Sequence, residues 1–129
     1  MPQDRESGAA ASKWGHETAK KVAKAIGATI PSGGSNECML GADRIVIKCA
    51  AASTDQVGVT YNMLPRLKYV LGAFQRDDGK FDLFALDPKT YDAHERETRS
   101  KGPSARRVGN VRRRVFEREG EFRGTVSID

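Results

Sequence analysis

The spacing of apolar positions changes several times along the chain, and each change predicts an element. Over residues 14–26, apolar or small side chains recur at Trp14, Thr18, Ala19, Val22, Ala23 and Ile26, the stripe of an amphipathic helix. Gly27 stands where a left-handed cap would end it. The residues before it, 1–13, are small and polar and are expected to form a flexible tail. Glu37–Leu40 reads as a short strand, Gly41-Ala42-Asp43 as a turn, and residues 44–50 as a strand rich in β-branched side chains. Thr54 or Asp55 then stands as a cap for a helix that Gly58 and Pro65 keep short or broken.

The second half opens on a hairpin. LKYVLGAF and FDLFALDP flank QRDDGK, where Asp78-Gly79 supplies the freedom of a tight turn. Both strands are apolar on both faces, as central strands are. Pro88 opens a helix over DPKTYDAHERE, and SKGPSARRVGN reads as a basic loop. VRRRVFEREGEFRGTVSI alternates apolar and charged residues, which predicts a closing hairpin that turns near Glu119-Gly120. At 129 residues the chain is long enough for one core. The expectation is therefore a single α/β or α+β domain over residues 14–129, a small mixed sheet flanked by helices.

Charge adds a direction to this frame. Between Arg96 and Arg123 there are ten basic and four acidic residues, a net +6, which leaves −1 for the rest of the chain. Nine of the ten are arginines, whose planar fork suits phosphate. Segment 96–123, with Arg106, Arg107, Arg112, Arg113 and Arg114 at its centre, is therefore the expected nucleic-acid contact. Most aromatic side chains lie outside that run, which argues against stacking on single strands as the main mode; Phe116 and Phe122 are the exceptions. No apolar run approaches a membrane span and no apolar signal core leads the chain, so a cytoplasmic protein without a membrane partner is expected. Cys38 and Cys49 read as two buried free thiols. The glycine-rich PSGGSN lacks the lysine and serine of a nucleotide-binding loop.

The charged residues with chemical promise gather around the first two strands. Hydrolysis of a phosphodiester needs a hard cation held by carboxylates and gains from a lysine that stabilises charge on the phosphate. Glu37 begins the first strand. Lys48 ends the second within IVIKCAA, a setting in which an ammonium needs a partner or a lowered pKa.

This layout resembles the PD-(D/E)XK nuclease superfamily, which includes restriction endonucleases and Holliday-junction resolvases. The shared features are an early helix carrying Glu17, a glycine-containing loop, Glu37 at the next strand, Ile47-Lys48-Cys49 closing the one after, and Gln56 where members carry a glutamine in the following helix. The resemblance implies a restriction-endonuclease-like fold and a catalytic set of Glu37, Lys48 and Gln56. Mg²⁺ or Mn²⁺ would be held by Glu37 with Glu17 or Asp43. One position departs from the pattern: the family places an acid two residues before the lysine, and Val46 stands there. Asp43 has the opposite parity to Lys48 along the strand. The leading expectation is thus a metal-dependent DNA endonuclease, of restriction or repair type, acting as a homodimer. The alternative is a non-catalytic nucleic-acid-binding protein on the same fold, with RNA as well as DNA open as the target. A module whose arginines face an acidic protein is the third reading.

Overall fold

The computed structural model describes residues 3–29, 37–54, 56–95 and 108–128. The chain runs α1 (Gln3–Ile26), β1 (Glu37–Leu40), β2 (Asp43–Ala50), β3 (Gln56–Thr60), a 3-10 helix (Tyr61–Arg66), β4 (Tyr69–Gln75), β5 (Phe81–Leu86), α2 (Pro88–Glu95), β6 (Val108–Arg112), α3 (Arg113–Glu119) and β7 (Glu121–Val126). It is a mixed α/β fold. Five strands form one sheet in the order β1-β2-β4-β5-β7, and β3 and β6 form a separate pair. Within the large sheet only β2 and β4 run parallel. Among the described residues no helix is long and apolar enough to cross a membrane.

Strand alternation divides the interior into two cores. Ile45 and Ile47 of β2, Leu71 and Ala73 of β4, and Phe81 and Leu83 of β5 face α1, which lays Ala19, Val22 and Ala23 against them. The opposite positions, Val46 and Ala50, Val70 and Phe74, and Phe84 and Leu86, face a second layer. That layer contributes Val57 and Val59 of β3, Leu64, Tyr91 of α2, Val111 of β6 and Phe116 of α3. The Tyr91 hydroxyl donates to the Val57 carbonyl at 3.1 Å, and so ties α2 to the small sheet.

Local signals account for most boundaries. Gly27 closes α1 at φ +80°, with the amides of Gly27 and Ala28 returning to the carbonyls of Lys24 and Ala23, the expected left-handed cap. Asp87 caps α2 by accepting from the amides of Lys89 and Thr90, and Pro88 takes the first helical position. Gly79 turns the β4–β5 hairpin at φ +86°, and the Asp78 carboxylate accepts from the Lys80 amide at 3.0 Å.

Three expectations are corrected. α1 starts at Gln3, so residues assigned to a tail are helical; Ala9, Ala10 and Ala11 lie there, and alanine is the strongest helix former. The segment after Thr54 is strand β3 followed by a 3-10 helix, not an α-helix, because β3 finds a partner in the distant β6. The closing segment is not a simple hairpin. α3 stands between β6 and β7 and drops Phe116 into the core, edge-on to Phe74 at 5.2 Å. The expected basic loop covers residues 100–110, most of which lie outside the described residues.

Candidate functional site

The antiparallel pairing of β1 with β2 sets Glu37 opposite Val46. Glu37 therefore shares the face of Arg44, Val46 and Lys48, and lies on a diagonal from Lys48, a separation of roughly 7–8 Å in regular sheets. To this extent the structure brings Glu37 and Lys48 together. The Glu37 carboxylate, however, is already engaged. Arg66, at the end of the 3-10 helix, donates its Nε to both oxygens at 3.2 and 3.3 Å and its Nη2 to Oε1, while Arg44 reaches Oε2 at 3.4 Å. Hydrogen bonding to Glu37, then its charge, lifts the Arg66 guanidinium above its ordinary pKa. Glu37 itself is buried.

Lys48 is half-buried and pairs in register with Gly72 of β4. A side chain at Gly72 would strike the rings of Phe74 and Phe116, at 2.6 and 2.9 Å from its first carbon, so glycine keeps this row of the sheet open. Burial pulls the Lys48 ammonium below its ordinary pKa. Among the described residues no hydrogen bond or ion pair to it is seen. Its neighbour Cys49 points to the α1 side, where burial pushes the thiol up to about 12 despite the nearby Lys48 charge. Cys38 is likewise a free thiol pushed up to about 11 by burial.

The other expected residues stand elsewhere. Val46 is 0% exposed in the second core. Asp43 keeps the parity of Ile45 and Ile47, because β2 runs without a bulge through its pairing with both neighbours, and so it faces the α1 side. Glu17 lies on α1, across the sheet from Lys48, exposed and, among the described residues, paired only with Lys13 at 4.0 Å. Gln56 is exposed on β3, not on a helix, and pairs with Arg112. A magnesium or manganese site needs several carboxylate oxygens at one point. Among the described residues the one acid beside Lys48, Glu37, is clamped by two arginines, and the family's second position holds a core valine. The described residues do not form such a site, and no group of three potential ligands occurs among them.

The arginine-rich segment is split by the β6–α3 junction. Arg113 turns inward: its Nη2 donates to Asp82 at 3.2 Å, its Nε to Glu117 at 3.3 Å, and its guanidinium lies 5.5 Å from the Phe74 ring. Asp82 also accepts from the Thr125 hydroxyl at 2.7 Å and meets Arg76 at 3.7 Å. Arg76, Asp82 and Arg113 line an open cleft of about 550 Å³ at the hairpin end, where Arg76 pairs with Asp78 and Asp82, and Arg113 with Asp82. Arg112, Arg114 and Arg118 instead face solvent, with no carboxylate partner among the described residues. Arg106 and Arg107 lie outside the described residues. The inward turn of Arg113 had one legible signal, Glu117 four residues on; Asp82, its other partner, is distant in sequence.

No protein-family model matches the chain, and no curated protein matches it.

Proposed function

We propose that this protein binds nucleic acid through the arginines of the β6–α3 junction and does not cleave it. The observation that carries the reading is the division of the run Arg112-Arg113-Arg114. One guanidinium holds the fold together, while its neighbours, with Arg118, keep at the surface a charge that no carboxylate among the described residues pairs. An outward guanidinium of this kind retains its donors for phosphate oxygens. The commitment of Glu37 to Arg44 and Arg66, and of Val46 to the core, supports binding without metal-dependent hydrolysis. Phosphate contacts release condensed counterions, so affinity should fall steeply with salt.

Fluorescence anisotropy with labelled DNA and RNA, between about 50 and 200 mM salt, tests this. The triple variant Arg112→Gln, Arg114→Gln, Arg118→Gln should bind more weakly on every sequence, with the salt slope reduced by about one for each phosphate that is no longer neutralised. Absence of wild-type binding at the lowest salt would overturn the proposal. So would Mg²⁺- or Mn²⁺-dependent nicking of plasmid that disappears in Lys48→Ala.

A further inference from the structure

We infer that the exposed ring of Phe122 is a stacking platform for an unpaired base, and that the preferred ligand is single-stranded nucleic acid. This rests on the nucleic-acid reading above and names its substrate class.

Phe122 is 57% exposed, the one large apolar side chain displayed in this way among the described residues. It is not a loose ornament of the surface. β7 pairs with β5, and Phe122 stands opposite Phe84, whose ring it meets at 5.3 Å and 52°. One side of the ring is thus supported by the core while the rest is open to solvent. Phe116, the other aromatic residue of the basic segment, is wholly buried, which leaves Phe122 as the available platform.

The ring also has phosphate-binding company in a fixed relation. Phe84 and Phe116 belong to the same core, so Phe122 sits on the face of the sheet that α3 covers. α3 and β7 are joined through Gly120 alone. A side chain there would meet the carbonyl oxygens of Phe116 and Ala85 at 2.5 and 2.8 Å, and the Gly120 amide donates to the Phe116 carbonyl at 2.9 Å. The tight turn fixes the helix against the strand. On α3, Arg114 and Arg118 are four residues apart and exposed, on the side away from Phe116, which places them as neighbours about 5–6 Å apart. An arginine-bearing helix joined by a tight turn to a strand with an exposed ring supplies the two components of sequence-tolerant single-strand binding: cations for the backbone and a π-surface for a base. In a duplex the base faces are already stacked, so Phe122 would find no partner there.

The test compares a single strand of mixed sequence with its own duplex, using wild type, Phe122→Ala, Phe122→Trp and Arg114→Gln/Arg118→Gln. The single strand should be preferred. Phe122→Ala should weaken single-strand binding about 5- to 150-fold and leave duplex binding unchanged, with only a modest fall in melting temperature from the lost contact with Phe84, whereas Phe122→Trp should retain affinity and lose indole fluorescence on binding. If Phe122→Ala binds the single strand like wild type while the arginine variant does not, the platform is wrong and the nucleic-acid reading stands. If Phe122→Ala instead converts a dimer into monomers in sedimentation, the ring is a subunit contact and the inference falls. A wild type that binds neither ligand removes both.

Discussion

Replacing Glu37 by glutamine distinguishes a structural carboxylate from a catalytic one. The substitution keeps the shape of the side chain and removes the charge that Arg44 and Arg66 hold. Glu37 has only 11% of its side chain exposed, but Arg44 and Arg66 are 51% and 53% exposed. Breaking a fully buried pair costs about 3–5 kcal/mol because an uncompensated charge stays buried. An exposed pair is worth about 0–1 kcal/mol. Here the charges left behind are half-hydrated arginines, and the bidentate geometry of Arg66 adds to the loss. The expected cost is therefore about 1–2 kcal/mol, between the two limits. With a urea slope of about 1–3 kcal/mol/M, the unfolding midpoint should fall by roughly 0.3–2 M. A cycle with Arg66→Ala should show that the two substitutions are not additive. A Glu37→Gln protein as stable as wild type, or more stable, would refute the reasoning and identify an acid held in place for chemistry.

Three further outcomes follow from the same face of the sheet and its flanks. Val46→Asp, which writes the nuclease pattern back into the chain, should cost about 3–5 kcal/mol in urea unfolding by burying an unpaired charge, and should confer no cleavage. Lys48→Met should stabilise the protein. Lys48 has a folded-state pKa below its unfolded value, so the wild type should gain stability as pH rises through the folded pKa toward 10.5, a gain absent in the variant when urea midpoints are compared between pH 8 and about 10. Cys38 and Cys49, held near 11 and 12, should react with iodoacetamide at pH 8 at least tenfold more slowly in the native protein than in urea, because only the thiolate attacks.

What could be read from the sequence was what neighbours in sequence decide. The β4–β5 hairpin was legible because Asp78-Gly79 and two apolar runs adjoin, and β2 because its β-branched residues are continuous. The opposite parities of Asp43 and Lys48 also follow from strand alternation alone. Residues 56–60 do not announce a strand because their strand character comes from β6, far along the chain. The helix of residues 113–119 was hidden because Val111, Val115 and Phe116 suit a strand or a helix equally, and the choice falls to Phe116 reaching Phe74 and Tyr91. At the candidate site, the shared face of Glu37 and Lys48 followed from pairing. The arginine clamp did not, since Arg66 arrives from an element whose position only the fold sets.

The pairing of β3 with β6 also orders the making of the molecule. The core beneath α1 draws chiefly on residues up to Ala85, all of which can meet before the C-terminal quarter appears. The opposite core must wait, because β3 stays without a partner until Val108–Arg112 arrives and Phe116 follows. Closing that long loop carries an entropic cost that local pairing avoids. The arginine segment is therefore no detachable tail: the stretch proposed to meet nucleic acid is also the last piece to complete the interior. A truncation meant to remove binding would also strip Val111 and Phe116 from the second core and leave β3 without its partner, so aggregation, not a clean loss of affinity, is what such an experiment would record.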